Sequence, residues 1–336
     1  MFSPLLYSNH SNGKGRHILK STSRKNNKIR KKGFFKRSLK RDWQLYVLLL
    51  LPLTYIIVFK YVPLWGVQIA FKNFVATKGI GGSEWADPLF KNFIKFFSDY
   101  NFWRVIKNTL GLSLYGLIAG FPLPIIFALS LNYVRNVKFK KTIQMITYAP
   151  HFISTVVIVG MLLQFFSTRT GIINQIIMSM GFNEINFFGT KGTFPHMYVW
   201  SQIWQSLGFS SIIYIATLAG IDPSLHEAAI MDGANKVRRM WHIDLPGIMP
   251  TAIVLLTLNL GRILNVGFEK VLLMQNPVNL NQSEIISTYV YKIGFQSALP
   301  QFSYSTAIGI FQSIVGFILI VTFNKISRKV SESSLF

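Results

Sequence analysis

EAAIMDGANKVRRMWHIDLP, residues 227–246, is a polar insert between two strongly apolar segments. Its Glu227-Ala228-Ala229 triplet is separated by three residues from Gly233, Gly233 by nine from Ile243, and Ile243 by one from Leu245-Pro246. Just upstream, Asp222-Pro223 is a helix-start signal. The Asp side chain can accept from the unpaired amides of a first turn, and proline at the first helical position has no amide to leave unpaired. The pattern predicts a helix from Pro223 to about Met231, after which Gly233 takes the left-handed backbone that turns the chain. A second short helix over about 235–241 is expected to lead to Leu245-Pro246 and the next apolar run. Ala228 and Ala229 add no bulk, so the first helix can approach another surface closely, and Glu227 offers that surface a charge.

Outward from this insert the chain is apolar. Half of the 336 residues are hydrophobic and only 14% are charged, with mean hydropathy +0.36. Soluble domains carry about a quarter charged residues, so lipid is the expected solvent. About 20 apolar residues are needed to cross the hydrocarbon core, and six segments qualify: 43–62, 109–131, 142–166, 197–221, 247–267 and 303–324. Pro52, Pro122, Pro124, Pro150 and Pro250 fall inside or at the margins of these spans and predict kinks, because neighbouring helices can satisfy the carbonyls they free. The shorter apolar stretches 61–71 and 171–182 are expected as interfacial or partly buried helices. With no cysteine, disulfides, zinc–thiolate sites and thiol catalysis are excluded.

The net charge of +23 is distributed as a membrane protein distributes it. Thirteen of the 35 Lys and Arg residues precede position 42, and Arg135, Lys138, Lys140 and Lys141 crowd the loop after the second span. Lys236, Arg238 and Arg239 follow the fourth span, and Lys325, Arg328 and Lys329 the sixth. The alternate loops, 63–108, 167–196 and 268–302, are longer and sparser in cations. The excess of Lys and Arg marks the cytoplasmic side, so both termini and the 227–246 insert are expected there. Residues 1–42 do not read as a signal peptide, since no small-residue cleavage site follows the long basic tract. They read as a solvated tail attracted to anionic lipid headgroups rather than as a nucleic-acid-binding element. The Lys/Asn/Ile-rich composition hints at an AT-rich bacterial genome.

The spacing in 227–246 resembles the cytoplasmic loop by which permease subunits of binding-protein-dependent ABC importers dock onto their ATPases. The resemblance covers a core of about 105–324. It is most similar to the type I, maltose- and alginate-oligosaccharide-like importers, within a subgroup of permeases for complex polysaccharides. YAPHFISTVVIVGM (148–161), GFEKVLLMQNP (267–277), STYVYKIG (287–294), YSTAIGIFQSIVGFILI (304–320) and DWQLYVLLLLP (42–52) carry the subgroup likeness. It implies an all-α integral membrane protein of six transmembrane helices, a five-helix core plus one N-terminal helix. The implied organisation is a tail at 1–42, a first helix and outer loop at 43–104, the core at 105–324 with its coupling loop at 221–246, and a C-terminal tail at 325–336. It further implies a coupling role for Glu227, Ala228, Ala229, Asp232 and Gly233, with Ile243, Leu245 and Pro246 anchoring the loop to the bundle. The implied partners are a second, non-identical permease, two ABC ATPase subunits and an extracellular or lipid-anchored sugar-binding protein, in a bacterial cytoplasmic membrane. No G-x-x-x-x-G-K-[ST] occurs, so ATP and Mg belong to the ATPase partner and this chain is expected to bind no cofactor and perform no bond chemistry.

Polar and aromatic residues at membrane depth are candidates for a solute path. On the fourth span these are Trp200, Gln202, Trp204 and Gln205. The two tryptophans share a helical face, and flat rings flanked by amides suit sugars, although helix packing or an interfacial aromatic belt would use the same residues. Asn259 and Arg262 share a face of the fifth span; Arg262 either lines the path, bonds to carbonyls or meets Glu269. Gln312 on the sixth span reads equally as an interhelical hydrogen bond or a ligand, and His151 as structural. None of the six spans contains Asp or Glu, which disfavours an ion-coupled transporter working alone. A different polar cargo, such as an amino acid or phosphate, stays open, and a membrane-anchored nucleic-acid-binding protein is the remote alternative.

Overall fold

The computed structural model describes residues 41–330; the expectations for the tail at 1–40 and for 331–336 fall outside them. The chain forms two units, one ending at Gly66 and one beginning at Val67. The first is made of most of α1 (Trp43–Phe71). Its α-helical turns pass through Pro52, give way to a π-turn at Ile57–Tyr61, and continue as 3-10 turns over Val62–Phe71. The stretch 61–71, expected as a separate helix, is therefore continuous with α1. No Ser, Thr, Asp or Asn stands between the two to cap a new start.

The second unit is helical throughout, and among the described residues the only β contact is an isolated bridge between Lys72 and Trp85. Its helices are α2 (Lys91–Phe97), α3 (Phe102–Asn132), α4 (Val137–Phe152), α5 (Thr155–Phe165), α6 (Ile172–Ser179), α7 (Thr193–Ala219), α8 (Pro223–Met231), α9 (Lys236–Gly261), α10 (Phe268–Met274), α11 (Ile286–Tyr291) and α12 (Phe302–Val330). One-turn helices at Gly79–Gly82 and Leu280–Ser283 are left unnumbered.

Four helices are individually long and apolar enough to cross a bilayer: α1, α3, α9, and α12 through Ile326. Two further spans arise only when bent pairs are joined, α4 with α5 across a 99° bend and α7 with α8 across 71°. The segment 142–166 is thus broken rather than merely kinked. Pro150 removes an amide from the ladder, and Ser154 opens a fresh helix by accepting from the Val157 amide. Pro122 and Pro124 follow a one-residue turn at Phe121, where the α-helical ladder is interrupted, yet the two halves still run on as the single span α3. The expected short helix at 235–241 and the fifth span are one helix, α9. A π-turn at Met240–Asp244 precedes Leu245-Pro246 and absorbs the proline without a stop. That helix ends at Gly261, leaving Arg262 as its C-cap rather than inside it.

Three buried clusters hold the second unit together. Val105, Ile286, Tyr289, Tyr304 and Ile308 surround Phe96 at one end. Leu112, Val159, Tyr198 and Met274 belong to the middle cluster. Ala128, Tyr214, Leu218 and Ile248 close the other end. α3 contributes to all three and packs along α7, while α9 packs against α12 and α7. Close approach needs glycine at two places. A β-carbon at Gly208 of α7 would collide with the Thr147 carbonyl of α4, and one at Gly261 with the Ile320 side chain of α12.

Candidate functional site

α3, α7, α9 and the turn at 262–267 line a half-open cavity of about 770 Å³. Its wall mixes aliphatic surface with Ser113, Gln202, Ser210, Asn259, Arg262 and Asn265, and no Asp or Glu lines it. Gln202, Asn259 and Arg262, three of the residues singled out for a solute path, share this wall. Arg262 forms no side-chain hydrogen bond or ion pair among the described residues, and it does not meet Glu269.

The remaining path candidates face elsewhere. Trp200 is half exposed and donates from Nε1 to the Tyr115 hydroxyl at 2.9 Å; that hydroxyl is 2.8 Å from His196 Nδ1. Trp204 is also half exposed. Gln205 donates to the Ile153 carbonyl at 3.1 Å, satisfying a backbone group freed by the α4–α5 break. Gln312 donates to the Leu264 carbonyl at 2.7 Å and to Asn265 Oδ1 at 3.0 Å, so it supports the wall from behind. His151 stacks on Phe209 with centroids 3.8 Å apart.

Sequence reasoning missed Lys270. It lies on α10 with 2% of its surface exposed, its Nζ 3.5 Å from Gln202 Oε1 and 5.6 Å from the Tyr198 ring centroid. Burial pushes its ammonium down to about 8. A lysine after Gly267-Phe268-Glu269 looks like an ordinary loop cation in sequence. Only the fold of 262–274 back against α7 reveals its burial.

At the α7–α9 junction the helix predicted from Pro223 is α8. Asp222 caps it by accepting from the Ser224 amide at 2.9 Å, which with its side-chain contact to Ser224 holds the exposed carboxyl below the usual range. Gly233 adopts φ 77°. Asn235 starts α9 by accepting from the Arg238 amide at 2.8 Å. Glu227, Ala228, Asp232 and Gly233 are exposed and Ala229 is half-buried. Ile230, Met231 and Trp241 stand exposed beside them, Met231 at 88%. Ile243 and Leu245 are half-buried, Leu245 packs against the third cluster, and Pro246 is exposed.

The residue that fastens this junction is Asp244, which was not singled out from the sequence. It is fully buried. Its Oδ2 accepts from the Tyr133 hydroxyl at 2.5 Å, and its Oδ1 lies 3.2 Å from His226 Nε2. Arg239 sits over the Tyr133 ring at 5.8 Å. Burial and the bond to Asp244 push the Tyr133 phenol well above its ordinary value. One carboxylate therefore joins the end of α3, the body of α8 and the start of α9. Its lone position as a carboxylate between Ile243 and Leu245 was the available signal.

A family profile described as binding-protein-dependent transport system inner membrane component matches residues 120–332. Protein LplB of Bacillus subtilis is 45% identical over 299 residues, 89% of this chain and 93% of its own length. The polygalacturonan/rhamnogalacturonan transport system permease protein YteP of the same organism is 42% identical, covering 87% and 90%. Among solved structures, a chain of a bacterial ABC transporter involved in the import of the acidic polysaccharide alginate superposes with TM-score 0.80 at 38% identity. It covers 88% of this chain and 99% of that one. A second structure of a bacterial alginate ABC transporter, in complex with a periplasmic protein bound to alginate pentasaccharide, gives TM-score 0.80 at 37% identity.

Proposed function

The chain belongs to the binding-protein-dependent transport system inner membrane components, and from that membership we propose that it is the permease subunit of an ATP-driven importer of oligosaccharides. The protein is multi-pass and membrane-embedded, a transport subunit rather than an enzyme. The observation that carries the reading is the cavity between α3, α7 and α9, where Gln202, Asn259, Arg262 and Asn265 break a largely apolar wall. Polar groups gathered among membrane-spanning helices are costly, and a path for a polar solute is the use that accounts for them.

In this proposal α4–α5 and α7 complete six spans in the bacterial cytoplasmic membrane, with both termini and the α8–α9 junction on the cytoplasmic side. The exposed face formed by Glu227, Ala228, Ile230 and Met231 meets one of two ABC ATPase subunits, which bind ATP and Mg. A second, non-identical permease completes the membrane part. An extracellular or lipid-anchored binding protein delivers the sugar, as the periplasmic protein in the alginate transporter complex suggests. Closure of the ATPases moves α8. The junction at Asp244 passes that motion to α3 and α9, both of which wall the cavity.

The test is reconstitution of this chain with its partner permease and ATPase in proteoliposomes. ATP-dependent accumulation of a labelled oligosaccharide, requiring the cognate binding protein, is the expected result. Accumulation of amino acids or phosphate in place of sugar would reassign the cargo, and accumulation without ATP would overturn the importer.

A further inference from the structure

We propose that α2 is an interfacial membrane helix whose apolar face rests in the lipid headgroup layer, at the end of the bundle opposite the α8–α9 junction. The proposal needs only a membrane-embedded chain and does not depend on its cargo. Phe90, just before α2, and Ile94 and Phe97 within it recur at the four- and three-residue spacings that put side chains on one helical face. Each is more than half exposed. The opposite face is built into the protein. Asn92 is buried and donates to the Ala70 carbonyl at 2.9 Å. Phe96 is buried within the cluster of Val105, Ile286, Tyr304 and Ile308. Two lysines stand on the flank: Lys95 turns back to donate to Gln301 Oε1 at 2.6 Å, and Lys91 is exposed.

Two neighbours fix the depth of this face. α12 is long and apolar enough to span, and its apolar run starts at Ser303. The Phe97 ring meets that of Phe311 at 5.5 Å. Phe311 is nine residues past Phe302, about 13 Å along the axis at about 1.5 Å per residue. α2 is therefore held beside the span rather than in open water above it. Phe97 also meets Phe102 at 5.5 Å, and Phe102 meets Trp103 at 5.2 Å, so the aromatic ridge passes onto the exposed face of α3. The next turn on that face carries the exposed Lys107, and only then do Leu114 and Ile118 follow in the uncharged run 109–131. A lysine at that position keeps its ammonium among the headgroups, so the ridge lies no deeper than that layer. Tyr100, 92% exposed, and Trp103 complete it. Rings that are apolar in body and polar at the tip favour the membrane–water interface. Lipid is thus the occupant of the ridge, and through Phe96 on its back α2 ties the height of the α3, α11 and α12 ends to the bilayer surface.

The chain has no cysteine, so single nitroxide labels can be placed on it without background. Phe90→Cys, Ile94→Cys, Lys91→Cys and, in the middle of α3, Ile118→Cys are each labelled in the full transporter, its other subunits freed of cysteine. Phe97 is left in place because its ring packs on Phe102 and Phe311. Each complex is reconstituted in liposomes of zwitterionic lipid. Power-saturation paramagnetic resonance then reads collisions with oxygen, which concentrates in lipid, and with a neutral nickel chelate, which stays in water. The expected result is loss of chelate collisions at positions 90 and 94 relative to 91, with oxygen dominant at a depth of about 5–10 Å. Position 118 should give the deepest reading. If one of the first two variants fails to assemble, the other carries the test. Chelate access at 90 and 94 equal to that at 91 would put the face in water, and exclusion of both reagents there would put it against a partner protein. Either outcome overturns the inference while the membrane reading stands on position 118. Chelate access at 118 would remove the membrane placement of α3 and both readings with it.

Discussion

The Tyr133 hydroxyl donates a 2.5 Å hydrogen bond to Oδ2 of the fully buried Asp244. Removing the hydroxyl leaves a buried carboxylate short of a donor. Hydrogen bonds to charged groups contribute about 1.5–3 kcal/mol, so Tyr133→Phe should lower the stability of the purified transporter by that order. Thermal unfolding in detergent reads it. Asp244→Asn should keep the packing but weaken the contact with His226. If Asp244 links α8 to the bundle as proposed, this variant should hydrolyse ATP with a reduced yield of transported sugar. A variant with unchanged sugar per ATP would show that the link is only structural.

Gly233 and Gly208 make contrasting demands. Gly233 has φ 77° but open space where a β-carbon would go. Gly233→Ala should therefore cost only the backbone strain of the left-handed region, about 1–2 kcal/mol. Gly208 has an ordinary helical backbone, but its β-carbon position is occupied by the Thr147 carbonyl of α4. Gly208→Ala should push α7 off α4 and lower membrane-extracted yield and melting temperature more than Gly233→Ala does.

For the exposed face of α8, charge reversal at Glu227 combined with a bulky residue at Gly233 should abolish ATPase association while membrane insertion persists. Co-purification of the ATPase with the permease reads it, and normal sugar uptake by this double variant would sink the docking assignment.

Much of this architecture is legible in the sequence because lipid imposes a simple rule: a long apolar run must be a helix. The runs at 109–131 and 303–324 lie within α3 and α12, and Asp222-Pro223 and Gly233 mark α8 and its turn because caps and left-handed turns have local chemistry. What the sequence does not disclose depends on contacts far apart in the chain. The break between α4 and α5 follows from Pro150 together with a new cap at Ser154, and the π-turn before Pro246 has no compositional signature. On the cavity wall Gln202, Asn259 and Arg262 could be singled out because polar side chains in apolar runs are conspicuous. Lys270 could not, since a charge outside an apolar run reads as solvated until the fold buries it, and for Asp244 the only signal was its place between Ile243 and Leu245.

Asp99 accepts from the hydroxyls of both Tyr289 and Tyr304 at 2.6 Å and from the Asn101 amide at 2.8 Å. Burial alone would raise its carboxyl, but these donors outweigh burial and hold it below the usual range. A depressed carboxylate contributes stability that is present above its unfolded value, about 3.9, and lost as pH falls through the folded value. The contacts joining the 99–101 turn to α11 and α12 should therefore loosen below about pH 4. Amide protection at Asn101 and Tyr289, corrected for the intrinsic exchange rate, should fall on acidification in the wild type. In Asp99→Asn it should be low already at neutral pH and vary less.

Lys270 gives a pH slope of the same sign in a higher window, although there it is the charged form that the fold disfavours. Its ammonium sits at about 8 in the fold against about 10.4 unfolded. Between these values the unfolded chain binds more protons, so stability rises with pH across that window and is lowest where the buried lysine is charged. The groups facing it are the Tyr198 phenol and the Gln202 amide of α7, with Glu269 exposed on its own helix. α5 presents no ionisable side chain, while α11 carries Tyr289 and Tyr291. Phenols ordinarily titrate near 10 or above, so Lys270 is the group that changes charge around pH 8. Lys270→Met should flatten this stability rise, read by thermal unfolding of the detergent-solubilised protein between about pH 7 and about pH 10. A wild-type melting temperature independent of pH over this range would show that the fold does not disfavour the Lys270 ammonium.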